Sequence, residues 1–241
     1  MNRKPLWLDE PEAPHARPAL SRERVVQAAV ALADEEASGE ITMRSLAERL
    51  GVRSPMALYR YVGNKDGLAD LMADHIYGLF SVAHGDGWRP ALYELGRSGW
   101  AAVRQHPWFA RLAFARPPLG PNALAVYEAA LAELDPLDLP AATRMGFIET
   151  VLGHVLGSGL ALLEEQSMRA GIGVTSDAEL ADSVAPYLVR IAAAGAHPHF
   201  SKWAADPQRH APAPQNFDTI LQWLLDGLAT IAATSTSAPR D

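Results

Sequence analysis

Apolar positions recur at helical spacing through most of this chain, and no strand-like run appears in its later part. Val25, Ala29 and Leu32 form a stripe behind Ser21, predicting a helix from a Ser21 cap to about Ala37. The acids of ADEEASGE and Gly39 close it. Thr42 then stands as an N-cap, and Met43, Leu46, Ala47 and Leu50 follow at i, i+3, i+4 and i+7, the spacing of a buried face. Gly51 ends that helix. Ser54-Pro55 starts another, with a hydroxyl cap and proline where its missing N–H costs nothing. Leu58 and Val62 turn inward. Asn64 caps a fourth helix with the stripe Leu68, Leu71, Met72, His75, Ile76 and Leu79. Residues 82–90 (VAHGDGWRP) break the pattern and read as a hinge. Further helices are predicted at about 90–105, 107–115, 122–134, 140–166, 177–194 and 216–233, parted by PPLGPN, DPLDLP, GIGVTS and DPQRHAPAPQN.

Residues 42–62 therefore read as helix, tight turn and short helix, supported on either side. That is the layout of a helix-turn-helix. With Leu58 and Val62 inward, Ser54, Met56, Tyr59 and Arg60 project elsewhere. Arginine can pair with guanine edges, a tyrosine hydroxyl can reach phosphate, and helix N-termini attract phosphate oxygens. The competing reading is a small bundle whose tyrosines simply pack.

Charge alone would favour a plain solvated face, but its uneven placement keeps the first reading open. The chain of 241 residues carries a formal net charge of −7, yet residues 41–65 hold Arg44, Arg49, Arg53, Arg60 and Lys65 against Glu48 alone, a local +4. Binding to a polyanion depends on the local field, so an acidic total does not exclude it. A 49% hydrophobic, 20% charged composition is that of a globular chain. With no cysteine, disulfides, thiol nucleophiles and cysteine-ligated metals are excluded. The first twenty residues have four prolines and no signal-peptide core, and Val151 to Leu163 is too short to span a bilayer. A cytoplasmic protein with no membrane partner is expected.

ITMRSLAERLGV followed by ALYRYVGNKDGLADLM resembles the N-terminal DNA-binding domain of TetR-type transcriptional regulators. The likeness spans about residues 21–76 and rests on T-x-R-x-L-A, L-G-V, L-Y-x-Y-V and N-K-x-x-L in order. It implies a homodimer presenting two recognition helices to a double-stranded operator. Thr42 and Arg44 would touch phosphate or a base edge. Ser54, Pro55 and Met56 would face the bases, while Tyr59, Tyr61 and Lys65 grip the backbone. Arg53 and Arg60 complete the candidate DNA-binding set. The interval from Gly51 to Lys65 is one residue longer than the family's usual, which leaves the register of Arg53, Ser54 and Pro55 open.

HPWFARLAFARPPLGPNALAVYEAAL, and later HPHFSKW with FDTILQWLLDGL, resemble the C-terminal domain of the tetracycline-repressor-like branch. That likeness implies a ligand-binding and dimerisation domain. The expected architecture is all-α: an arm at 1–20, a three-helix helix-turn-helix domain at 21–80, a larger helical domain at 81–234 and a tail at 235–241. Gly146, Gly153, Gly157 and Gly159 allow another helix close approach or leave a cavity. Phe217, Ile220, Leu221, Leu224, Leu225, Leu228 and Ile231 give the last helix more apolar surface than one packing face requires. Both helices suit a four-helix dimer interface or the core of a monomer, and periodicity does not separate these.

Candidate ligand-binding residues are Trp100, Trp108, Phe109, Phe114, Tyr127, Phe147, Glu149 and His154, an apolar set with few polar groups. The same residues suit a plain core. His197, His199 and His210 lie in loop sequence without metal-ligand spacing, so no metal is expected. Aligned on Arg116-Pro117, the metal-ligating histidine of the tetracycline repressor falls at Leu112, so magnesium-tetracycline is not the expected ligand. The expectation is a ligand-responsive repressor, released from a palindromic operator by a small apolar effector, with no cofactor and no catalytic residues. The alternative is an all-helical enzyme or small-molecule-binding protein with a purely structural N-terminal bundle, using Glu149 with His154.

Overall fold

The computed structural model describes residues 20–35, 41–206 and 213–236, and these are helical with no strand among them. The expected arm, tail and His210 lie outside the described residues, apart from Leu20 and the end of the last helix. The order is α1 Arg22–Glu35, α2 Met43–Arg49, a 3₁₀ turn Pro55–Leu58 running into α3 Tyr59–Val62, and α4 Lys65–Tyr77. Then come α5 Trp88–Gln105, α6 Phe109–Ala115, α7 Pro121–Leu134, α8 Ala141–Ile172, α9 Asp177–Ala194, α10 Pro198–Ala204 and α11 Ala213–Thr236.

The predicted caps set the N-terminal bundle. Thr42 and Ser45 form a capping box, Thr42 Oγ1 accepting from Ser45 N at 3.0 Å and Ser45 Oγ from Thr42 N at 3.2 Å. Gly51 turns the chain at φ +66°. Asn64 accepts from Gly67 N at 2.8 Å to start α4. Gly67 itself is required, since a Cβ there would stand 2.2 Å from Val62 O. Val25, Ala29, Leu46, Leu58, Val62 and Leu68 close one core. The predicted stripe of α4 differs at its end. The helix stops at Tyr77, so Leu79 is exposed, His75 is only half-buried, and Tyr77 and Phe80 fill the core instead.

Residues 82–90 are not a free hinge, since 88–90 already belong to α5. Ser81 N donates to Ser98 Oγ at 2.9 Å, and Gly85 N donates to Glu133 Oε1 at 2.9 Å, pinning the segment to α5 and α7. Helix α8 is the spine of the larger domain and packs along α5, with α6, α7 and α11 beside it. It runs six residues past its predicted end, because Arg169 pairs with Glu165 on the same turn and with Asp177 at the start of α9. By length and composition it could cross a membrane, yet Phe147, Ile148, Val151, Leu152, Val155 and Leu156 on it are buried in the fold. Helices α9 and α10 form an arm of their own, without a single buried residue. The segment read as a histidine loop contains α10: His197 precedes it, Pro198 opens it and His199 lies within it.

Candidate nucleic-acid interface

Ser54 caps the 3₁₀ turn, its Oγ accepting from Met56 N at 3.3 Å, and Pro55 takes the first helical position. With Leu58 and Val62 fully buried, the turn displays Ser54 and Met56, the latter 72% exposed. Arg53 is exposed just before it. Tyr59 is half-buried and Arg60 exposed on α3. Arg60 and Tyr61 form a unit: the guanidinium lies 4.7 Å from the ring centroid and donates to the hydroxyl at 2.6 Å. The Tyr61 ring packs on the core, and its carbonyl accepts from Arg22 Nε at 3.0 Å. Arg22 holds this helix to α1, a role no sequence pattern signalled.

Of the five basic residues in this segment, Arg49 pairs with Glu35 of α1, and Arg44 pairs with Glu48 at 3.2 Å on a fully solvated face. Arg53, Arg60 and Lys65 have no carboxylate partner among the described residues. Thr42, Arg44, Arg53, Ser54, Met56, Arg60 and Lys65 are all exposed, and Pro55 and Tyr59 partly so. The bundle thus offers an uncompensated basic surface around a short helix whose opposite side is its core.

Three sets of polar contacts bind this bundle to the larger domain. Asp34 of α1 accepts from Trp108 Nε1 at 2.7 Å, and its Oδ1 lies 2.8 Å from Nδ1 of buried His106. Arg116, after α6, reaches Asp70 at 2.6 Å and Asp66 at 2.9 Å, both on α4. Burial works against the guanidinium charge there, but the two carboxylates outweigh it and raise the pKa. Asp74, buried on α4, caps the start of α7 by accepting from Ala123 N at 2.9 Å and Asn122 N at 3.3 Å. Burial pushes its carboxyl above the ordinary range despite those bonds. Its place three residues after Leu71, on the inward face of α4, was the available sequence signal.

The predicted ligand-binding residues are only partly gathered. Phe217 is sandwiched between Trp100, at 4.6 Å, and His154, at 4.4 Å, with all three rings nearly parallel. His154 Nε2 lies 3.1 Å from the Phe217 carbonyl, and Glu149 is exposed to solvent. Phe109 packs edge-on against Tyr77 and Phe80, and Phe147 against Trp88. Tyr127 is half-buried; burial first, then the charge of Glu149, pushes its hydroxyl pKa up. Phe114 is exposed on α6. Clefts are present at α4: one under Arg116 and Pro117, one between α4 and α6, and one between the end of α4 and α7. Of the eight predicted residues, Trp108 alone lines one of these three. Among the described residues no cluster of acidic and histidine side chains suits a metal ion.

Residues 83–232 match the family model of the tetracycline-repressor-like C-terminal domain. The chain belongs to the TetR family. TetR proteins are transcriptional regulators rather than enzymes, and the all-helical architecture agrees. A relative from Streptomyces coeruleorubidus, the HTH-type transcriptional repressor DrrR1, is 35% identical over 220 residues, covering 90% of this chain and 80% of its own. An HTH-type transcriptional regulator of Saccharopolyspora erythraea is 32% identical over 155 residues, 64% of this chain and 65% of its own. Among solved structures, apo ActR of Streptomyces coelicolor superposes with a TM-score of 0.74 at 28% identity, covering 91% of this chain and all of that one. ActR in complex with actinorhodin gives 0.74 at 27% identity, covering 88% of this chain and 98% of that one.

Proposed function

We propose that this TetR protein is a homodimeric repressor that leaves its operator when a small apolar effector binds. The observation carrying this reading is the basic surface of Arg53, Arg60 and Lys65, which hold no carboxylate among the described residues, around an exposed helix start on a bundle tied to the larger domain through α4. Thr42, Arg44 and Tyr59 would add phosphate contacts, while Ser54, Pro55 and Met56 reach base edges. Two such helices about 34 Å apart fit successive major grooves of a pseudo-palindrome. The helix-turn-helix unit is residues 21–80 and the effector and dimerisation unit residues 81–234, working in the cytoplasm where DNA is found.

The dimer is proposed to form through α8 and α11. Their outward faces carry Gly146, Gly153 and Gly157, at which an added Cβ meets nothing, and Trp223, Gly227 and Ile231. The ActR complex with actinorhodin supports an organic effector of similar kind, though not its identity. An effector that parts the stacked rings of Trp100, Phe217 and His154 would shift α5, α8 and α11. Arg116 and Asp74 would pass the shift to α4, changing the separation of the recognition helices. The test is a fluorescence-anisotropy titration with operator fragments selected from random duplex DNA. Arg44→Ala/Tyr59→Ala/Lys65→Ala should lose binding by about a hundredfold or more, some 3 kcal/mol, while keeping parental helicity. Parental affinity in that variant would end the repressor reading.

A further inference from the structure

The cleft between α4 and α6 has a volume of about 430 Å³, within the range of small-molecule sites. It lies where the two domains meet rather than inside the larger one. Its floor is apolar: Leu68, Met72 and Trp108 are all buried. Half-buried Met43, from the start of α2, and Leu112, from α6, add apolar walls. Its rim carries Lys65, Arg111 and Arg116 together with Asp66. Arg111 and Arg116 line it but already hold carboxylates, Glu164 for Arg111 and Asp66 with Asp70 for Arg116. Lys65 is exposed on the rim and makes no ion pair among the described residues. Arg116 Nε is buried beside it with no acceptor.

We propose that this cleft binds a small apolar carboxylic acid, its hydrocarbon body between α4 and α6 and its carboxylate on Lys65. An uncharged apolar molecule would fill the floor but leave Lys65 to solvent alone. A dianion would meet the carboxylates of Asp66 and Glu164. A single negative charge on an apolar body matches both parts. The occupant acts in two ways: it takes the ammonium that otherwise faces DNA phosphate, and it wedges the start of α2 away from α6. Occupancy and operator binding therefore oppose each other. This second consequence rests on the repressor reading; the binding of the acid does not.

The chain has no cysteine, so one introduced thiol reports on one place. In the full-length protein, Leu112→Cys is alkylated with iodoacetamide in the presence of decanoate or decanol, with Asp86→Cys on an exposed loop as the control. At about ten times its Kd, decanoate should slow alkylation at residue 112 by about tenfold, decanol less, and neither at residue 86. Ala69→Cys, from the α4 wall, supplies a second reporter should Leu112→Cys not fold. No protection at either position overturns the site, and equal protection by decanol overturns its selectivity for an anion. Separately, decanoate should weaken operator binding by the parent; protection without weakening overturns the opposition. A parent that binds no operator even without decanoate would defeat the repressor reading instead, leaving the labelling result to stand or fall alone.

Discussion

Asp74 shows how one residue can matter to two domains at once. It belongs to α4 yet supplies the acceptor that starts α7, so removing it leaves two backbone N–H groups without their partner. Asp74→Ala should cost about 1–3 kcal/mol in urea unfolding. The pH dependence follows from the raised carboxyl. The folded chain holds this proton more tightly than the unfolded one, so Asp74's contribution to stability falls as pH rises from the ordinary 3.8 through the raised value, then levels. Asp74→Asn lacks that fall. Its stability relative to the parent should therefore grow across the same window, as measured by urea melts in a pH series. A difference flat with pH would show that the buried carboxyl is not proton-linked. Such a residue was partly legible from the sequence, as an acid on an apolar stripe. Asp34 and His106 were not, because their meeting depends on how α1 lies against the end of α5.

At the level of elements, capping residues carried most of the information. Thr42, Ser54 and Asn64 fixed three helix starts in a row because each side chain satisfies a backbone N–H that the helix leaves open. Helix ends were harder: α8 was expected to end at about residue 166, and the ion pairs of Arg169 carry it on to Ile172. The short α10 was read as loop, since Pro198 breaks helices in some contexts and opens one here. Glycines in α8 separate into two kinds that sequence alone treats alike. A Cβ at Gly159 would stand 2.0 Å from Val103 Cγ1, so Gly159→Ala should destabilise the fold by about 1–3 kcal/mol. At Gly153 and Gly157 nothing stands within 4 Å. Gly153→Leu/Gly157→Leu should fold with parental helicity and sediment as a monomer. A double variant that stays dimeric would move the interface away from this face.

For the whole molecule, the division of charge outweighs its total. Most of the acidic excess lies after residue 65 while residues 41–65 are locally basic, so operator affinity should fall steeply with salt, about 0.9 logarithmic units per tenfold change in salt for each phosphate contacted. Lys65→Ala should flatten that slope by about 2 in a dimer, one contact per subunit. An unchanged slope would remove Lys65 from the phosphate contacts. The two-part organisation and the helix-turn-helix were legible because local spacing builds them. Spacing does not separate a ligand pocket from a core: aromatic residues read alike in both, and Trp100, Phe109 and Phe147 are buried.

The bare arm of α9 and α10 bears on how much of this regulator a cell can hold. Tyr187, Val189, Phe200 and Trp203 are exposed, as is the Trp223 face of α11. A newly made chain displays these surfaces to chaperones and proteases until something covers them. If pairing does so, survival rises with the chain's own concentration: scarce copies are cleared and abundant ones persist. Abundance would then have a threshold, set by the surface of the protein rather than by its promoter.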